Sequence, residues 1–306
     1  MAISRSQLVK ELEPGLNALF GLEYKRYENQ HAEIYTNENS DRAFEEEVML
    51  SGFANAQVKG EGSGVSFDEA QETFTARYTH ETVALAFAIT EEAIEDNLYD
   101  RLSARYTKAL ARSMSNAKEV KGAAVLNNGL PGVAAASAFQ TGDGSNLLAT
   151  DHSTIAGTVS NTLAVQADLN ETSLEQGLID IAAMTDERGL RIAAKAVKMI
   201  IPSANQFNAE RIMKSQGRTQ TADNDINAIN SMGMVPQGYR VNNFLTDPDS
   251  FYLITDVPNG MKMFSRTPLT TSMEGDFDTG NVRYKARERY AFGASDFRGI
   301  FGVEGA

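Results

Sequence analysis

Residues 89–129, ITEEAIEDNLYDRLSARYTKALARSMSNAKEVKGAAVLNNG, decide how this chain is organised. Ile94, Leu98, Leu102, Tyr106, Leu110, Met114, Ala117, Val120 and Ala124 recur at steps of four or three. That spacing is the apolar stripe of an amphipathic helix with one face buried along its length. Thr90 is the predicted N-cap. Glu91, Glu92, Glu95 and Asp96 fill the first turns, and Arg105, Lys108, Arg112, Lys118 and Lys121 follow toward the far end, matching the helix dipole. Gly129 and Pro131 stop the helix. At 1.5 Å per residue, Thr90 to Asn128 spans roughly 55–60 Å, several times the ordinary helix length. The segment reads as a beam.

The stretch before it, ARYTHETVALAFAI, alternates with period two. Val83, Leu85, Phe87 and Ile89 fall on one side, and the small Ala84, Ala86 and Ala88 on the other. Upstream, FEEEVMLSGFANAQVKGEGSGVSFDEAQETFTARYT reads as two strands flanking Gly60, Gly62 and Gly64, a long hairpin with a flexible tip. Phe53, Phe67, Phe74 and Tyr78 are its isolated large side chains, too few to build a core. A two-stranded arm of this kind must lean on another surface, such as a second subunit.

This order of N-terminal segment, protruding hairpin and long helix resembles the major capsid proteins of tailed double-stranded DNA bacteriophages, the Hong Kong 97-type fold. The likeness continues through DHSTIAGTVSN (151–161), DLNETSLEQGLIDIAAMTDERG and AVKMIIPSANQFNAERI, which run as a central loop, a helix, a buried strand and another helix. It closes with FYLITDVPNGMKMFSRTPLTTS and NVRYKARERYAFGASDFRGIFG, similar to the family's last strands returning to the long helix. The resemblance implies an α+β, Hong Kong 97-like fold with an N-terminal arm (1–43), an extended hairpin loop (44–82), and a strand with spine helix (83–128) in a peripheral subdomain. An axial subdomain (129–265) and C-terminal strands returning to the peripheral subdomain (266–306) complete it. It also implies a structural, non-enzymatic protein of the virion. Its copies would form homo-pentamers and homo-hexamers of an icosahedral head around double-stranded DNA, with a separate scaffold protein, a portal and decoration proteins as partners, assembled in the bacterial cytoplasm. An encapsulin-type shell around protein cargo is the alternative on the same fold, and an unrelated acidic α+β enzyme the third reading.

Composition fits a globular protein: 42% hydrophobic and 23% charged over 306 residues, enough chain for two subdomains. The mean hydropathy is −0.32, no apolar run approaches the roughly 18 residues of a membrane helix, and the N-terminus has no signal-peptide centre. With no cysteine, disulfides, thiolate metal sites and cysteine nucleophiles are excluded. Residues 1–100 carry 20 Asp and Glu against 7 Lys and Arg, whereas 101–306 hold 21 of each, so the net charge of −13 resides in the first third. Near the other end Arg283, Lys285, Arg287 and Arg289 alternate with Val282, Tyr284, Ala286, Glu288 and Tyr290, placing four cations on one face of a strand. Either these are ordinary solvated surfaces, or the basic strip receives a neighbour's acidic arm as a heterologous contact. On the second reading the candidate assembly residues are Phe53, Lys59, Gly60, Gly62, Gly64, Phe67, Arg283, Lys285, Arg287 and Arg289. The acidic balance argues against tight phosphate-backbone binding.

No catalytic, cofactor or metal constellation emerges. GEGSGVS lacks the lysine of a phosphate-binding loop, and no GxSxG frames Ser63 or Ser145. Asp223, Asp225 and Asn227 begin a calcium-loop pattern, but Ala228 and Met234 stand where its glycine and bidentate glutamate belong. Glu274, Asp276 and Asp278 read as an acidic turn. His31, His80 and His152 are not spaced as ligand pairs, and His152 is expected to donate from a loop to backbone.

Overall fold

The computed structural model describes residues 5–90, 92, 99–134, 139–218, 225–276 and 280–306. Helix α1 (Arg5–Tyr24) leads through a short turn of 3-10 helix to β1 (Thr36–Asn39), then to the hairpin β2 (Phe44–Leu50) and β3 (Glu72–Thr79), and to β4 (Glu81–Ile89). The long helix α2 spans Tyr99–Asn127. After it come β5 (His152–Thr154), β6 (Gly157–Val159), α3 (Glu171–Ala183), β7 (Ala196–Ile201), α4 (Gln206–Lys214) and α5 (Ala228–Met232). The chain closes with β8 (Tyr239–Val241), β9 (Phe251–Thr255), β10 (Met261–Gly275), β11 (Val282–Ala294) and β12 (Ile300–Val303).

Two four-stranded sheets carry the body. The first has the order β1-β10-β11-β4, with β1 parallel to β10 and the rest antiparallel. Helices α1 and α2 cover one of its faces, where Leu16, Phe20, Leu110, Ala111, Met114, Tyr284 and Ala286 form a core. The second has the order β12-β9-β7-β8 and packs against α3, α4 and α5 around Leu174, Ile181, Met199, Phe251, Leu253 and Phe301. Between the sheets Leu126, Leu147, Leu148, Tyr252, Tyr290 and Ile300 form the joining core. Burial of this many aliphatic and aromatic side chains is what offsets the chain entropy of the fold.

Several sequence expectations need revision. Pro14 and Gly15 predict a break in the N-terminal helix, but α1 runs through both. Leu16 and Phe20, one turn apart, are buried in the core shared with α2, so tertiary packing overrides the local cost of proline. The described part of the N-terminal segment also packs on the body: Tyr35 donates its hydroxyl to the carbonyl of Gly122 at 2.7 Å, and β1 is part of the first sheet. The described part of the spine helix begins at Tyr99; Glu91, Ile94, Glu95, Asp96 and Leu98 lie outside the described residues.

Of the predicted stripe Leu110 and Met114 are buried, but the rest of the buried face sits about one position off it. Ser103, Thr107, Ala111, Ser115, Glu119, Ala123 and Leu126 are buried, while Tyr106 and Val120 are about half exposed, at 49% and 48%. An all-apolar template misses this face because polar side chains with specific partners hold part of it, Glu119 accepting from the backbone N–H of His31 at 2.8 Å. The sequence predicts a helix over residues 173–188 ended by Gly189, but α3 stops at Ala183, because the Asp186 carboxylate accepts from the N–H groups of Arg188 and Leu190 and folds the chain into a turn. The last strand β12 pairs with β9 in the second sheet, not in the sheet beside the spine helix.

Candidate assembly surfaces

The hairpin is two structures in one. Its root is a paired ladder, Phe44 opposite Thr79 through Leu50 opposite Glu72, with a bulge between Val48 and Leu50. Tyr78, expected as an isolated side chain, is 3% exposed and packs edge-on against Phe264, with Ala76 and Ala291 beside it. Its hydroxyl meets Ser295 Oγ at 2.5 Å, and Ser295 donates in turn to Glu47. A Cβ at Gly293 would lie 2.7 Å from the Tyr78 ring, so only glycine lets the ring seat there. The buried Lys262 ammonium bridges Glu38 at 3.0 Å and Glu47. Burial opposes its charge, but the two carboxylates prevail and raise its pKa above the ordinary lysine value.

Beneath the root is a cavity of about 570 Å³ lined by Met49, Leu50, Glu187, Asn259, Asp296 and Arg298. Arg298, 3% exposed, reaches Glu187 at 2.6 Å, Asp296 at 3.3 Å, the Thr185 carbonyl at 2.8 Å and Met49 Sδ at 3.6 Å. Burial pushes the Asp296 carboxyl above the usual range even with that guanidinium beside it.

Beyond Ser51 the arm has no ladder. Residues 52–72 are all exposed, including Phe53 at 61%, Val58 at 100% and Phe67 at 98%. The few contacts are polar: Ala54 N–H to Asp68 at 2.7 Å, and Arg188 to the Glu69 carbonyl at 2.6 Å. At the tip Ser63 donates its N–H to the Gly60 carbonyl at 3.2 Å, and Gly62 takes φ +76°, a left-handed turn that excludes most other residues. Lys59, Gly60, Gly62 and Gly64 are therefore all placed on a projecting, solvated loop.

On the first sheet the face opposite the helices is covered by the hairpin root at Phe264 and Ala291 and is open over Arg283, Lys285 and Arg287. Arg283, Lys285 and Arg287 are exposed and Arg289 is partly so, whereas Val282, Tyr284, Ala286, Glu288 and Tyr290 are buried. The register sets Arg283 beside Ala88, Lys285 beside Ala86, Arg287 beside Ala84 and Arg289 beside Thr82. On the other side lie Glu274, Ser272, Thr270 and Thr267. The basic row is thus flanked on one side by three alanines and Thr82 and on the other by Glu274 and three hydroxyls, its cationic residues rooted about 6.7 Å apart along the strand. Arg283 is also paired with Asp276 of the adjacent turn.

Sequence reading missed the buried polar sites. His152, expected to donate to backbone, is fully buried and stacked on Phe297 with ring centroids 3.9 Å apart. Its Nδ1 is 2.8 Å from Asp143 and its Nε2 3.2 Å from Asn161. Burial disfavours the Asp143 carboxylate, but hydrogen bonds from His152, Thr141 and Ser145 hold its pKa at about 2. His31 and Glu119 contact at 2.6 Å, and Lys118 and Glu288 at 3.3 Å. No periodicity marks such pairs; their signal is a charged residue inside an otherwise apolar face. Asn227 caps α5 through its carboxamide, and Asp223 and Asp278 lie outside the described residues. Among the described residues, no three His, Asp or Glu side chains are grouped to hold a metal. No helix there is long and apolar enough to cross a membrane.

The chain thus combines a two-sheet body, a long spine helix and an arm that projects without a core of its own. Residues 72–303 match the family model described as phage capsid protein, and the chain belongs to that family. Solved structures agree on the fold. The capsid of an empty GTA particle is 14% identical with a TM-score of 0.56, covering 91% of this chain and 90% of that one. Mycobacterium phage Adephagia gives 12% identity and a TM-score of 0.54, over 92% and 91%. A virus-like particle from Pyrococcus furiosus gives 9% identity and a TM-score of 0.51, over 94% and 98%. No curated protein sequence matches the chain. This is a capsid protein with the tailed-phage, Hong Kong 97-like fold that the sequence resembles.

Proposed function

We propose that this chain is the major subunit of an icosahedral phage head, closing as pentamers and hexamers around double-stranded DNA in the virion. The observation that carries the reading is the arm. Its root is clamped to the body, and its distal half holds exposed phenylalanine and valine that no packing within the chain rewards. The proposed division of labour follows the fold: residues 44–82 as the extended loop, 83–128 in the peripheral subdomain, 129–265 as the axial subdomain, and 266–306 returning to the peripheral part save for β12. A separate scaffold protein and a portal are the partners such a head requires, and DNA is touched weakly because the chain is acidic overall.

In this reading the acidic arm of one copy lies on the basic row of another, a heterologous contact that closes into a ring when the rotation permits. Lys285→Glu combined with Arg287→Glu is expected to leave a folded subunit that forms no shell; shells from that variant would reduce the row to a solvated face. Electron microscopy of the purified protein, alone and with the products of its neighbouring genes, tests the function itself. Closed particles holding DNA support a phage head, particles holding protein support the encapsulin alternative, and a small discrete species under every condition refutes both.

A further inference from the structure

The free edge of β4 is the least protected feature of the body. Among the described residues β4 pairs only with β11, so one side of its nine-residue backbone has no strand partner. Exposed edges are normally blunted by proline, lysine, bulges or brevity. From Thr82 to Ile89 this one has none of these: it is uncharged, regularly paired on its other side, and open, with Leu85 46% exposed and Ala84, Ala86 and Ala88 exposed. Its two faces differ in size. Val83, Leu85 and Phe87 share the helix-covered side of the sheet, and the three alanines share the open side with Arg283, Lys285 and Arg287.

We infer that a second copy of the chain adds residues 64–68, GVSFD, to this edge as a fifth strand. Of the distal arm, this stretch has the matching alternation: Val65 and Phe67 point one way, and Gly64, Ser66 and Asp68 the other. With Val65 and Phe67 set beside Val83, Leu85 and Phe87, the exposed aromatic is covered by a large apolar row. Gly64, Ser66 and Asp68 then fall beside the alanine strip on the open side and bring an acidic group toward the basic row. Charge complements charge, since residues 44–79 hold seven Asp and Glu against two Lys and Arg. Backbone pairing of this kind is the recognised chemistry of strand addition, in which the ladder supplies affinity and alternate side chains the register. The inference rests on the shell reading and names the occupant and the edge within it.

The chain has no cysteine, which makes the test clean. Copies carrying Phe67→Cys and copies carrying Leu85→Cys are mixed, assembled and oxidised, and microscopy of the same preparation reports whether shells are present. The expected result is a disulfide-linked dimer on a non-reducing gel from mixed shells, absent from either variant alone and from unassembled subunits. Amide exchange over residues 81–89 should also slow by about a hundredfold or more on assembly. Shells without the 67–85 link and with unchanged exchange overturn the inference while the shell reading stands. Protection without the link gives the edge to another segment and also overturns it. If no shells form under any condition, both readings fall.

Discussion

The root and the distal half of the hairpin are continuous in sequence yet physically opposite. Between Phe44 and Leu50 every second residue meets the body or the partner strand, and Tyr78, Lys262 and Arg298 fasten the ladder from three directions. From Gly52 to Glu72 nothing is buried. The difference is one of available area: a two-stranded ribbon cannot bury side chains on itself, so it is ordered only where a third layer touches it. The root therefore carries stability within one subunit, and the distal half is free to contribute only between subunits.

That contrast can be broken most severely at the root. Arg298→Ala leaves Glu187 and Asp296 buried without their cation, and should lower unfolding stability by about 3–5 kcal/mol in a denaturant titration. A loss under 1 kcal/mol would show that water relieves those carboxylates. Tyr78→Ala removes the aromatic that Gly293 makes room for, with an expected loss of about 3 kcal/mol or more and faster amide exchange along Phe44–Leu50.

A smaller effect belongs to the buried Asp143 beneath His152. Its pKa falls from 3.8 to about 2 on folding, and at about 1.4 kcal/mol per pH unit this contributes about 2 kcal/mol. Because the folded value lies below the unfolded one, the stabilisation is present above about pH 4 and is lost as pH falls toward 2. Melting of the parent between pH 5 and 2.5 should show that slope, and Asp143→Asn should flatten it. The smallest effect is predicted for the distal arm: Val58→Ser and Phe67→Ser should each change subunit stability by less than about 0.5 kcal/mol. A cost above 1 kcal/mol at either would mean the distal half packs on its own body.

What was legible in the sequence follows the same division. Alternation exposed β4 and the basic row of β11, because strand faces differ sharply in burial there; the long helix and the glycine tip were equally plain. Less visible were features decided by partners far away in the chain. Pro14 argued for a helix break, but Leu16 and Phe20 meet α2 and keep the helix intact. Periodicity puts Tyr106 and Val120 inside the spine helix, whereas the polar Thr107 and Glu119 are buried instead, Glu119 against His31 from a distant part of the chain. The short β12 gave no sign of which sheet it would join, since both needed an apolar strand. For the assembly surfaces the residue types and alternation were readable; that the four cations share an open face with three alanines required the register.

The distal half of the arm is thus proposed to exist for contacts between copies of the chain. The most direct measurement replaces residues 53–70 by a short glycine-serine turn and compares this variant with the parent by thermal melting and negative-stain electron microscopy. An unchanged melting temperature is expected, with closed shells from the parent and none from the variant. Shells of equal yield from the variant, or a marked loss of its thermal stability, would contradict it.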